Sequence, residues 1–245
     1  MINTILFDLD GTMLPLNLDQ FLKLYFTAIG KKFQDLIDSK TLVHYIMTAT
    51  DEMVKNTEYR TNEIVFMDKF ARLIQSDLNV YRQRFDEFYD QEFFEAKASV
   101  ADSPMMRNSV RLLKDKGYDL VIATNPLFPE KAIHHRIRWS GFEPEDFLYI
   151  PSYEKNHYCK PQLLYYTEIL QEIGKKPEEC LMVGNDVQED LVAAKLGIET
   201  YLITDFLIHR TQEPIAATYQ GSYADFYRFV QDLSELNPEQ AEKMA

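Results

Sequence analysis

The sequence predicts an α/β protein: a doubly wound parallel sheet (a Rossmann-like core) with a smaller all-helical domain inserted in it. From Met105 onward, short apolar runs typical of strands alternate with segments of helical spacing. Between about Leu16 and Val100, apolar residues recur at helical spacing and no clear strand is found. We therefore expect a core domain of residues 1–15 and 101–245 and an inserted helical domain of residues 16–100.

The elements of the core follow from their apolar runs and end signals. Around the helix of residues 103–117, Ser103 can cap the start, Pro104 suits the first helical position and Gly117 suits the end. The same kinds of signal predict strands at 4–10, 118–125, 147–152 (short), 179–186 and 198–204. They predict further helices at 128–141, 160–174, 188–197 and 223–236. The polar tail 236–245 is expected to be frayed.

The inserted segment reads as a set of helices at 18–33, 41–56, 62–75 and 80–94. It is rich in Phe, Tyr and Met. We interpret most of these residues as the core of a small bundle, and leave open that some line a substrate pocket.

Size and charge narrow the class of protein. The 245 residues, 46% of them hydrophobic, can fill the core of one large domain or of two smaller ones. A net charge of −13 argues against nucleic-acid binding and against docking on an anionic membrane. No apolar run approaches the ~18–20 residues of a membrane span, and we see no secretory signal. We expect a cytoplasmic protein, a monomer or homodimer, that binds a small molecule.

The two cysteines, Cys159 and Cys180, are too few for a disulfide framework. Cys180 begins an apolar run, so we expect its side chain to be buried and to pack in the core. We expect no nucleophilic or redox role for Cys159, because a reactive thiol needs a paired base and the sequence shows none.

Two carboxylates end the first strand, in FDLDGT. Alternate side chains of a strand share a face, so Asp8 and Asp10 point roughly the same way. Two carboxylates this close raise each other's proton affinity unless a cation lies beside them. One of them stays protonated, or a metal is bound, or both. The alternative is a strand end capped by solvated acids.

Other strand ends favour the chemical interpretation. Thr124 and Asn125 follow one predicted strand, Lys160 lies in a loop before a helix, and Asn185-Asp186 follow another strand. Parallel strands bring their carboxyl ends to one edge of the sheet. Acids, a hydroxyl and an ammonium group there suit a phosphoryl group bound through Mg²⁺, which prefers oxygen ligands.

The order of these pieces resembles the haloacid dehalogenase-like hydrolase superfamily, in its phosphatase branch. The DxDGT motif is matched by Asp8 to Thr12, the hydroxyl after the second strand by Thr124, and the Lys before Pro by Lys160. The acidic motif is matched from Gly184 to Asp190. Many members carry an aspartate directly after this glycine, where the chain has Asn185. The insert resembles the family's type-one cap.

The resemblance implies roles for individual residues. Asp8 is the expected nucleophile and Asp10 the expected acid and base. Thr124 and Lys160 are expected to hold phosphoryl oxygens. Gly11 and Asn125 are expected to contribute to phosphate binding. The expected Mg²⁺ ligands are the side chains of Asp8 and Asp186 and the backbone carbonyl of Asp10. Asp190 and Asn185 are expected to support these ligands without binding the metal themselves.

The sequence thus predicts a Mg²⁺-dependent phosphatase that hydrolyses a small phosphorylated metabolite through an aspartyl-phosphate. A phosphomutase would use the same core, and a binding protein that has lost the chemistry would keep the fold. A dehalogenase is disfavoured because it does not need the acid and base at Asp10. A phosphonatase is disfavoured because no lysine of the insert stands out.

For the histidine and arginine residues that follow the second motif, we favour a structural role over a functional one. His134, His135, Arg136 and Arg138 lie on one predicted helix and are expected on a solvated or core-edge face. Candidates of the insert for reaching the substrate are Tyr25, Arg60 and Arg72.

Overall fold

The computed structural model describes residues 1–236. Its central sheet runs in the order β2-β1-β3-β4-β5, and every neighbouring pair is parallel. The strands are β1 (Thr4–Phe7), β2 (Asp119–Ile122), β3 (Cys180–Gly184), β4 (Glu199–Ile203) and β5 (Tyr219–Gly221). The predicted Rossmann-like α/β core is confirmed.

Helices cover both faces of this sheet. In β1, Ile5 and Phe7 pack into one apolar cluster and Leu6 into another, because successive side chains of a strand point to opposite faces. The helices are α1 (Leu18–Lys32), α2 (Ser39–Lys55), α3 (Asn62–Ile74), α4 (Leu78–Asp90), α5 (Pro104–Asp115), α6 (Glu130–Trp139), α7 (Leu163–Ile173) and α8 (Tyr223–Asp232). The cluster of Ile5 includes residues of α5, α6 and α8, and the cluster of Leu6 includes residues of α7.

The insert between β1 and α5 is helical, as the sequence predicts. Each of its four α-helices begins after a side chain that accepts a hydrogen bond from an amide in the first turn. These caps are Asn17, Asp38, Thr61 and Asp77. An antiparallel bridge joins Leu16 to Val100, so the chain leaves the core and returns at adjacent points. On this basis we propose that residues 16–100 form a cap domain.

Three expectations for the core need correction, and one strand was not predicted. The strand expected at 147–152 is a single bridge between Tyr149 and Val121, because Pro151 has no N–H to extend the pairing. The helix expected at 188–197 is a 3₁₀ helix, Leu191–Leu196. The helix α7 begins at Leu163 rather than 160, and β5 was not expected.

Within residues 1–236, no helix combines the length and apolar character needed to cross a membrane. The end of the tail, residues 237–245, lies outside the described residues.

Candidate active site

The polar residues singled out in the sequence meet where the strand order reverses. Strands β2 and β3 flank β1 on opposite sides. Open α/β sheets bind ligands in the crevice at the carboxyl ends of strands, at such a reversal. Asp8 directly follows β1, and Asn185 and Asp186 directly follow β3.

Lys160 is buried between two carboxylates. Its Nζ donates to Asp8 Oδ1 at 2.9 Å and to Asp190 Oδ1 at 2.6 Å. The side chain of Lys160 is 1% exposed, as is that of Asp190. Although burial acts in the opposite direction, Asp190 and Asp8 raise the pKa of Lys160 well above its ordinary value. Burial also raises the pKa of Asp190, to about 7, against the attraction of Lys160.

Asp10 is paired with Arg136 of α6. Arg136 Nη1 donates to Asp10 Oδ2, and the guanidinium lies over the ring of Phe128, with Cζ 4.5 Å from the centroid. Among the described residues, Asp10 Oδ1 and Arg136 Nη2 are buried without a hydrogen-bond partner. Burial raises the pKa of Asp10; Arg136 acts against this shift and Asp8 adds to it.

Arg136 is a site residue that the sequence interpretation missed. It was expected on a solvated or core-edge face, yet it is 1% exposed. The signal was its spacing: Ala132, Ile133 and Ile137 are also buried, so Arg136 continues the apolar stripe of α6. An arginine in such a stripe needs a buried acceptor, and Asp10 supplies it.

Asp186 is held by backbone amides and by a second arginine. The amides of Gln188 and Glu189 each donate to Asp186 Oδ1 at 3.0 Å. Arg210 Nη1 lies 2.6 Å from Asp186 Oδ2, and its Nη2 lies 3.7 Å from Glu189 Oε1. Arg210 comes from the segment after β4, and no sequence pattern pointed to it.

Thr124 and Asn125 lie just beyond the end of β2, the strand beside β1. Thr124 is buried and lines the central cavity, and its carbonyl accepts a hydrogen bond from the hydroxyl of Tyr165 at 2.7 Å. Asn125 Oδ1 accepts from the amide of Lys160 at 3.2 Å, and Asn125 Nδ2 donates to Glu189 Oε2 at 3.1 Å. Asn125 therefore ties the Lys160 loop to this edge of the sheet.

Asn185 connects the turns after β1 and β3. Its Oδ1 accepts from Thr12 Oγ1 at 2.9 Å, and its Nδ2 donates to the carbonyl of Phe206 at 2.6 Å. Gly11 has φ +84° and lies against Asn185, where a Cβ would come within 2.4 Å of Nδ2. These contacts give Asn185 a structural role at the position where the sequence departs from the family's commoner aspartate.

A cavity of about 410 Å³ joins these residues to the insert. Its polar end is lined by Asp8, Asp10, Thr124, Asn125, Asn185, Asp186, Glu189, Asp190, Arg136 and Arg210. Its other walls are side chains of α1 to α4, the Leu127–Pro129 segment, Tyr153 and Ile208. Tyr25, a candidate of the insert, lines the cavity, whereas Arg60 pairs with Asp68. Arg72 is not among the lining residues.

Comparison with known families decides the assignment. A family model described as haloacid dehalogenase-like hydrolase matches residues 2–197. The chain belongs to this family. The resemblance in the sequence is thus confirmed, and the hydrolase has relatives in sequence and in fold.

Pyrophosphatase PpaX of Bacillus cereus is 24% identical over 204 residues, which cover 83% of each chain. A HAD phosphatase from Thermococcus onnurineus superposes with a TM-score of 0.62 at 18% identity, covering 96% of this chain and 100% of that one. A CbbY variant from Rhodobacter sphaeroides, solved with xylulose 1,5-bisphosphate, gives 0.59 at 18% identity, covering 92% and 96%. These structures are similar to the hydrolase in fold.

The donor set of the hydrolase fits a hard divalent cation. Asp8, Asp10 and Asp186 offer only oxygen atoms and line one cavity. Within residues 1–236, no three His, Cys, Asp or Glu side chains are grouped closely enough to enclose a metal ion. The expected set has only two side chains, Asp8 and Asp186, with the carbonyl of Asp10. Such a set suits Mg²⁺, which usually keeps several waters and binds substrate phosphate.

Proposed function

We propose that this hydrolase is a Mg²⁺-dependent phosphatase that hydrolyses a small phosphorylated metabolite through an aspartyl-phosphate on Asp8. The observation that carries the proposal is the position of Asp8 at the polar end of the cavity, with one oxygen held by the buried Lys160. The pyrophosphatase name of the sequence relative and the phosphatase name of the structural neighbour support phosphoryl chemistry.

Lys160 orients the nucleophile. It binds Oδ1 of Asp8, which leaves Oδ2 to form the new bond to phosphorus while the bond from phosphorus to the leaving oxygen breaks. A carboxylate is itself a nucleophile in aspartyl-phosphate formation, so Asp8 needs no separate base. Lys160 also offsets the repulsion between Asp8 and an incoming phosphate.

Asp10 handles the proton. Its burial raises its pKa, which favours the protonated form that a general acid needs. Because Oδ2 accepts from Arg136, the proton belongs on Oδ1. Asp10 gives this proton to the leaving oxygen, and later takes one from the water that hydrolyses the aspartyl-phosphate.

Asp8, Asp186 and the carbonyl of Asp10 would hold the Mg²⁺ ion. When bound, Mg²⁺ offsets negative charge on the phosphoryl oxygens. The balance of charges at the site favours a bound cation, because five acidic side chains line the polar end and only three basic ones lie there. The basic side chains are those of Arg136, Arg210 and the buried Lys160.

Phosphate release from an alkyl phosphate, with Mg²⁺ and with EDTA, tests the proposal. We expect turnover only with Mg²⁺, and loss of turnover by at least about 1,000-fold in Asp8→Asn. Asp19→Asn, an exposed aspartate at the start of α1, is the matched control and should keep wild-type activity. Acid quenching should trap a phosphoryl group on the wild-type peptide that contains Asp8.

Activity retained in Asp8→Asn would refute the nucleophile assignment. Transfer of the phosphoryl group to another site of the substrate, without release of phosphate, would instead indicate a phosphomutase. Absence of any turnover, with the substrate still bound, would indicate a binding protein.

A further inference from the structure

The cavity that begins at Asp8 is polar at one end and apolar over the rest of its wall. Beyond the polar end, its lining comes from the insert, the Leu127–Pro129 segment, Tyr153 and Ile208. The apolar lining includes Leu22, Phe26, Ile46, Met47, Phe66 and Phe128. Phosphate binds at the polar end in the proposed function, so the alcohol part of the substrate must occupy the apolar part.

Several of the polar groups among these walls already have partners, although Nη2 of Arg136 has none among the described residues. The hydroxyls of Tyr25 and Tyr89 are 3.0 Å apart and bond to each other. Arg136 donates to Asp10, and Arg210 is paired with Asp186. A polyol or a second phosphate in this space would lose its hydration with few groups left to replace it, which is unfavourable.

The size of the cavity suits more than a phosphate group. About 410 Å³ lies in the range of pockets that enclose small organic ligands. Rings such as Phe66 and Phe128 favour contact with a flat or hydrocarbon group, through burial of apolar area and through ring stacking.

We propose that the substrate is the phosphate monoester of an apolar, ring-sized alcohol, and that the apolar part of the cavity binds that alcohol. This inference rests on the proposed phosphatase function and names its substrate class. It places inorganic pyrophosphate and sugar phosphates among the poor substrates.

Two esters with leaving groups of similar basicity provide the test: 2-phenylethyl phosphate and glycerol 1-phosphate, both esters of primary alcohols. With Mg²⁺, we expect kcat/KM for the phenylethyl ester to be about 100-fold higher, since differences of this size arise from apolar pockets. Inorganic pyrophosphate is the third substrate and should be hydrolysed at least as poorly as glycerol 1-phosphate.

Met47 locates the alcohol on the protein. It lines the cavity yet is 51% exposed, so the helix α2 tolerates a change there. Met47→Glu should lower the ratio of the two kcat/KM values about tenfold, because a charge would then adjoin the apolar group. Met105→Glu is the matched control: Met105 is 45% exposed on α5, outside the cavity, and its change should leave the ratio unaltered. Thermal melting should confirm that both variants fold.

The outcomes separate the two proposals. No phosphate release from either ester, with Mg²⁺ present, would refute the phosphatase function itself. If phosphate is released but kcat/KM for glycerol 1-phosphate or pyrophosphate equals or exceeds that for the phenylethyl ester, the phosphatase function stands and the inferred substrate class is overturned. An unchanged ratio in Met47→Glu would overturn the assignment of the alcohol to this cavity.

Discussion

The guanidinium of Arg136 donates to Oδ2 of Asp10, although the two residues are 126 positions apart in the chain. The side chain of Arg136 is 1% exposed and that of Asp10 is 19% exposed. Each keeps one polar atom without a partner among the described residues, Oδ1 of Asp10 and Nη2 of Arg136. The pair therefore holds one oxygen of the proposed acid and leaves the other for chemistry.

Removal of Arg136 should destabilise the fold and slow turnover. Arg136→Met leaves Asp10 without its cation in a largely buried position, and we expect the free energy of unfolding to fall by about 2–3 kcal/mol. Arg138→Met, on the same helix, removes an exposed pair with Glu143 and should cost no more than about 0.5 kcal/mol. Urea denaturation measures both values. Equal decreases in the free energy of unfolding would show that the buried pair stabilises the protein no more than the exposed pair does.

Lys160 should be required both for stability and for activity. Lys160→Met leaves Asp8 and Asp190 buried side by side, which we expect to cost about 3–5 kcal/mol and to abolish turnover. Adding Asp190→Asn removes one of the two charges and should restore part of the stability but not the activity. Lys155→Met is the control, because Lys155 forms an exposed pair with Glu130. A double variant no more stable than Lys160→Met would contradict this account.

Arg210 should compete with Mg²⁺ for Asp186. Its Nη1 lies 2.6 Å from Asp186 Oδ2, and its side chain is 49% exposed, so its loss should not unfold the protein. Arg210→Gln should strengthen Mg²⁺ binding several-fold in titration calorimetry without substrate, because a cation is removed beside a proposed ligand. Asp186→Asn should weaken it at least about tenfold. Unchanged Mg²⁺ affinity in both variants would remove Asp186 from the proposed metal site.

Both thiols should be unreactive in the folded protein. Cys159 and Cys180 are fully buried. Burial raises the pKa of Cys159 above its ordinary range and that of Cys180 to about 12. A raised pKa lowers the thiolate fraction at any given pH, so alkylation by iodoacetamide between pH 7 and 9 should be slow until denaturant is added. Rapid labelling of either residue in the native protein would contradict this prediction.

Much of the candidate site could be predicted from short stretches of sequence. Asp8, Thr124 and Asp186 stand at the ends of apolar runs, and parallel strands carry their ends to one edge. Ser103 was expected to cap a helix and does so, accepting from the amide of Met106. These signals are local, because a cap or a strand end is set by neighbours in the chain. The catalytic roles of the site residues stay predictions.

Other features depend on contacts that no local pattern reports. The short strand β5 carries few apolar residues, and its pairing with β4 depends on the sheet that is already there. Asn185 and Gly11 contact each other only because β1 and β3 are neighbours. Arg210 reaches Asp186 from a segment with no motif.

By itself, the sequence determined the alternation of strands and helices, the helical insert and the identity of the acids at the strand ends, since these follow from hydrophobic periodicity and chain-local signals. The tertiary structure alone decided the order of the strands, the pairing of Asp10 with Arg136 and the apolar character of the cavity. The physical reason is that burial and charge pairing arise between segments far apart in the chain, and only their packing sets which groups meet.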